Sequence, residues 1–226
     1  MLGVFASLKH RQAPLTSECG VSKEKNVTQR HIPYATLILV LCTVLVSLGV
    51  NFQIAGSLFG KIKITELEPF GGFTYKHILD LELWRLVISQ FIHVMQFHMI
   101  YNVLSLFALG YLLERKLGSS VFLVIWFISG SIGTFASTFT VPEPWNLGTG
   151  GSQAILGLAA AGLLMYLKRQ IEGKLALGVL ILTIGPAFAL DLIFSEYHLP
   201  KVGHVVSFSL GVILLYGFQQ RGKTCY

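Results

Sequence analysis

Charge is scarce in this chain. Only 12% of its residues are charged, whereas 53% are hydrophobic. That balance excludes an ordinary soluble domain. Cysteine is scarce too. Three in 226 residues give no disulfide framework, and Cys19, Cys42 and Cys225 read as free thiols. Cys225 is misplaced for prenylation, which needs the fourth position from the end. There is no His-Glu-x-x-His run, the zinc-hydrolase pattern. No long apolar core precedes a small-residue cleavage site, so a cleaved signal peptide is not expected. Internal repeats and low-complexity segments are lacking as well. The net charge of +6 does not point to nucleic acid, because Lys and Arg lie mostly in tails and short loops.

What is present is a series of apolar runs long enough to cross a bilayer. Six spans are expected: Pro33 to about Ala55, Phe91 or Phe97 to Leu113, Ser119 to Phe139, Ser152 to Leu167, Leu175 to Phe194, and Gly203 to Phe218. Residues 1–32 read as a cytosolic tail, 33–218 as one six-span domain, and 219–226 as a short cytosolic tail. The fold class expected is an all-α membrane bundle. A long connection over 56–90 is broken by Gly60, Pro69, Gly71 and Gly72. Its second half is expected at the membrane interface, with Trp84 at headgroup level. Glu114 to Gly118 reads as a turn, and Pro186 as a kink in the fifth span. With the N-terminus inside, twelve Lys and Arg lie on the inner side and five on the outer, which predicts both termini in the cytosol.

One stretch organises the rest: Gly148-Thr149-Gly150-Gly151-Ser152-Gln153-Ala154-Ile155-Leu156-Gly157. A glycine loop runs into a serine that starts an apolar helix. The free N–H groups and positive dipole end of that helix lie close by. Ser152 there is either a cap or a nucleophile beside an anion site. The fourth span is short for a full crossing, so the loop is expected below the membrane surface. Irregular backbone at that depth is tolerated only inside protein or beside a water cavity.

Spans two, four and six all run from outside to inside. Their starting ends carry His98 and Asn102, then Ser152, then His204, gathered into one layer. Polar groups within spans usually face a partner or a cavity. A serine within reach of a histidine is the minimum for an activated nucleophile. His98 and Asn102 share a helix face and can donate to a developing oxyanion beside the Ser152 N–H. Each residue alone also reads as a cap or as interhelical hydrogen bonding. His93, five residues before His98, is expected to face elsewhere and to lie at the interface, with a role at the site as the lesser alternative. Asp191 reads either as a group that orients His204 or as a surface or capping residue. Gly203, Ser207 and Gly211 are spaced four apart, which allows close helix approach.

These motifs resemble the rhomboid family of intramembrane serine proteases. Glu82-Leu83-Trp84-Arg85 is similar to its Trp-Arg signature. His93-x4-His98-x3-Asn102 is similar to its second-span motif, and Glu114 with Gly118 to the turn after it. Gly150-Gly151-Ser152 resembles the start of its Gly-x-Ser-Gly motif. Gly203-His204 with Ser207 and Gly211 resembles its last-span pattern. Two positions depart from the family: Gln153 stands for the glycine after the serine, and Ser207 for a last-span glycine. Gln153 is expected either to crowd spans four and six or to face the cavity.

The resemblance implies a six-helix rhomboid bundle with Ser152 as nucleophile and His204 as base. His98, Asn102, Gly150 and the Ser152 N–H would form the oxyanion and substrate-binding site. It implies no metal and no cofactor. Substrates would be single-span membrane proteins in the lipid bilayer, admitted past span five and the loop before span six. A bacterial inner membrane is the expected location, with an internal eukaryotic membrane as the alternative. Oligomeric state is left open. The rivals are a rhomboid-like protein that binds membrane helices without cleaving them, and a small transporter with a broken helix at the glycine loop.

Overall fold

A computed structural model describes residues 32–194 and 201–221. The N-terminal tail, most of the loop before the last helix, Cys19 and Cys225 fall outside the described residues. The described chain is helical: α1 (Tyr34–Ala55), α2 (Lys76–Leu79), α3 (Arg85–Ile88), α4 (Gln96–Leu117), α5 (Ser119–Ser137), α6 (Ser152–Leu167), α7 (Lys174–Phe194) and α8 (Val202–Arg221). Five of these are long and apolar enough to cross a membrane, and α6 is a shorter apolar helix. With α6 they make the six spans of an all-α membrane bundle.

The central helix is α6. Ala154, Leu158, Ala159, Ala160 and Ala161 are fully buried, so it is apolar on every side and buried on every side. Its 16 residues reach only about 24 Å at 1.5 Å per residue, so the loop before it must descend to meet it. Small residues let its neighbours close in. A side chain at Gly157 would strike Ser129 of α5, and one at Gly211 of α8 would strike the Gly157 carbonyl. The stripe on α8 therefore divides its work. Gly203 lies against Gly133 and Ser137 of α5, and Gly211 against α6. Ser207, which departs from the glycine of the pattern it resembles, is fully buried, and its hydroxyl is shared by the carbonyls of Ser129 at 2.9 Å and Gly203 at 2.8 Å. A hydroxyl with such acceptors is tolerated in the contact.

The expected turn at Glu114 to Gly118 shrinks to Gly118 alone, because α4 runs on to Leu117. Glu114 is buried and takes the first N–H groups of α1 instead: Ala35 N at 2.9 Å, Thr36 N at 2.8 Å, and the Thr36 hydroxyl at 2.6 Å. A carboxylate at a helix N-terminus satisfies orphan donors and meets the positive dipole end. In the long loop, Trp84 is half exposed, but Arg85 is buried. Its guanidinium pairs with Glu82 and donates to the carbonyls of Glu68 and Gly72, which folds the loop onto itself. That loop then grips the glycine loop. Phe73 and Gly148 exchange backbone hydrogen bonds at 3.1 and 2.7 Å, and Gly150 N–H donates to Ser89 O at 2.8 Å.

Pro186 stands inside α7, which continues through it. Proline has no N–H, so the carbonyl four residues back loses its helical donor. That carbonyl belongs to Leu182, and the Tyr101 hydroxyl of α4 donates to it at 2.8 Å. Tyr101→Phe is expected to leave it without a donor and to cost about 1 kcal/mol. The check is thermal unfolding in detergent. An unchanged midpoint would count against the pairing.

Candidate active site

Three helix ends meet at the site. Gly150 has φ +88°, a left-handed conformation that suits glycine, and a side chain there would press on the His93 ring. The turn it allows delivers Gly151 as the N-cap and Ser152 as the first residue of α6. The N-cap is Gly151, which has no side chain, and Ser152 lies one residue inside the helix, so Ser152 is not its cap. Its Oγ lies 3.1 Å from His204 Nε2 and 3.1 Å from Gln153 Oε1. His204, near the start of α8, is buried, and its Nδ1 lies 2.6 Å from Oδ2 of buried Asp191 near the C-terminal end of α7. A carboxylate only accepts, so Nδ1 carries the proton and Nε2 is free to accept from Ser152.

Gln153 answers a question that its sequence left open. The side chain is buried, and its Cβ lies alongside Gly133 of α5, where the missing side chain leaves room. Its carbonyl turns back on Ser152. One hydroxyl proton thus has two acceptors, and only one of them is a base.

A second cluster lies against Gly150. Asn102 is buried, and its Nδ2 donates to His93 Nε2 at 2.9 Å. His93 was expected to face elsewhere, on the assumption that it shares a helix with His98. The helix begins only at Gln96, so helical spacing does not apply to it, and the loop turns it inward. A small cavity lined by Gln90, His93, Asn102 and Gly151 joins this cluster to the residue before Ser152. His98 lies on the exposed side of α4, within electrostatic range of His204 and Lys201. The structure thus brings together Ser152, His204 and Asp191, and separately His93, Asn102 and Gly150.

Burial, reinforced by the nearby His98, pushes His93 from 6.5 down to about 3, so it is neutral. The unfolded chain therefore binds the extra proton between these two values. Stability is full above pH 6.5 and falls as pH drops, by about 2 kcal/mol at about pH 5. The unfolding midpoint should fall between pH 7 and pH 5, and fall less in His93→Asn. Equal falls in both proteins would remove His93 as the cause.

Comparison with known proteins converges on one family. A family model for the Rhomboid domain matches residues 80–221. The rhomboid protease GluP of Bacillus subtilis (strain 168) is 30% identical over 145 residues, 62% of this chain and 28% of GluP. The rhomboid protease AarA of Providencia stuartii is 30% identical over 150 residues, 60% of this chain and 53% of AarA. The inactive RHOMBOID-like protein 8 of Arabidopsis thaliana is also 30% identical, over 121 residues covering 52% of this chain and 34% of that protein. The match spans about half or less of each relative's length. With five membrane-length apolar helices and the shorter, buried α6, this chain belongs to the rhomboid family of multi-pass membrane proteins, which is made up mostly of intramembrane proteases and includes some inactive relatives.

Proposed function

We propose that this chain is an intramembrane serine endopeptidase that cleaves single-span membrane proteins in or near the bilayer. The observation that carries the proposal is the 3.1 Å contact between Ser152 Oγ and His204 Nε2. Nε2 takes the hydroxyl proton as Oγ attacks a peptide carbonyl carbon. The carbonyl oxygen becomes an oxyanion. The N–H groups of the first turn of α6 have no carbonyl partner within the helix, and those beside Ser152 can meet it. An amide carries two N–H donors, so Asn102 keeps one for the oxyanion while the other binds His93. His98 supplies a further donor. His204 then passes its proton to the leaving nitrogen, the C–N bond breaks, and an acyl-enzyme remains. Water, deprotonated by His204, attacks the ester, and Ser152 recovers its proton as the acid leaves.

In this reading 33–218 is the catalytic domain, and 1–32 and 219–226 are cytosolic tails of a protein in a bacterial inner membrane. Substrates are helices weakened by small residues that reach the site past α7. The rival is a helix-binding rhomboid-like protein that does not cleave. It is favoured by the inactive relative and by the second acceptor on Ser152. Proteoliposomes holding a generic single-span substrate separate the two. Cleavage by the wild type and none by Ser152→Ala is the expected result. Binding of the helix without cleavage by folded wild type would select the rival.

The second acceptor yields its own prediction. Gln153→Gly should raise the rate at which a fluorophosphonate acylates Ser152 by about fivefold, the equivalent of one hydrogen bond of about 1 kcal/mol. A rate that stays the same or falls would show that Gln153 does not compete for the proton.

A further inference from the structure

Asp191 is 3% exposed, and a carboxylate so deeply buried is costly unless it is paired. Among the described residues, its partners lie where α8 begins. Oδ2 accepts from His204 Nδ1 at 2.6 Å and from the Lys201 backbone N–H at 3.0 Å, and Oδ1 lies 3.9 Å from Lys201 Nζ. The contact to His204 is on the nitrogen that faces away from Ser152. An imidazole alone can take either tautomer and turn about its Cβ–Cγ bond. A carboxylate on Nδ1 removes both freedoms. It also opposes the positive charge that appears on the ring when the hydroxyl proton arrives.

We infer that Asp191 is a positioning residue, which holds His204 in its Nδ1–H tautomer with Nε2 turned on Ser152. The site is then a Ser152–His204–Asp191 line and not a pair. The inference rests on the serine-peptidase reading above. It also ties the chemistry to α7, since the helix past which substrates would enter carries the group that orients the base.

A plain structural role is the alternative, in which Asp191 only caps the start of α8 through the Lys201 N–H. Asp191→Asn separates them. The side chain keeps its shape and can still accept from Lys201, but its charge is gone. Its amide can also donate to His204 Nδ1, which enforces the wrong tautomer. The expected result is a fall in kcat of about 10²- to 10⁴-fold, with KM and the thermal midpoint unchanged. Acylation of Ser152 by a fluorophosphonate should slow in step. A kcat within about threefold of wild type, with the midpoint unchanged, would overturn the inference and leave the peptidase reading standing. If the variant unfolds, the nitrogen NMR spectrum of the wild type decides. A protonated Nδ1 on His204, assigned by its loss in His204→Ala, supports the inference, and an unprotonated Nδ1 overturns it. Wild type that is folded but never acylated would instead sink the peptidase reading, and the same spectrum would still report the tautomer.

Discussion

If the chain is a serine peptidase, as proposed, His204→Ala is expected to lower the rate of substrate cleavage by about 10⁴-fold, and Ser152→Ala at least as far. A serine hydroxyl is a weak nucleophile at neutral pH and gains its strength from the base that accepts its proton. Among the described residues, the other acceptor on Ser152 Oγ is the neutral carbonyl of Gln153, which cannot hold a proton through the reaction. Without His204 the hydroxyl therefore has a hydrogen-bond partner but no base. The two variants should not add, because each removes the same step. The double variant is expected to match the weaker single one. Cleavage by His204→Ala within about tenfold of wild type would mean that another group serves as the base.

Gly211→Leu is expected to reduce activity by at least about 10²-fold and to lower the unfolding midpoint. A side chain at Gly211 would meet the backbone carbonyl of Gly157, which cannot rotate away. The helices must separate instead. Gly211 lies seven residues beyond His204, two turns along nearly the same face of α8. Moving α8 outward at Gly211 therefore draws the imidazole away from Ser152, and a 3.1 Å contact does not survive a displacement of that kind. Gly217 is the control on the same helix. It has open space around it, so Gly217→Leu should leave both quantities nearly unchanged. If Gly211→Leu also left both nearly unchanged, the α6–α8 contact would not be what positions the base.

Much of this architecture was legible in the sequence, and the gaps have identifiable causes. The helix Ser152–Leu167 was readable to its ends, since glycines stop it on one side and a polar link on the other. The family was readable from motifs spread across five segments, each of which suits its place in the bundle. The end of α4 was not. Glu114 looked like a turn residue because it is charged, yet its charge is used on the N-terminus of α1, some 78 residues earlier in the chain. A helical period misplaces His93, because it precedes the helix that begins at Gln96. The sequence does not decide the role of Asp191, because it sits on a different helix from His204, and sequence separation across a loop does not tell which way a side chain turns. Gln153 was clear as a departure from the family, but its direction was not. It lies beside Gly133, on a face shared with Ser207 and Gly203 of α8, and nothing near Gln153 in sequence reveals that face.

The most direct test of the central claim is to treat the folded, reconstituted chain with a fluorophosphonate and locate the adduct by peptide mass spectrometry. This account predicts one adduct, on Ser152, that disappears in His204→Ala while the protein remains folded. A folded chain with no adduct, or with an adduct on a different serine, would contradict it.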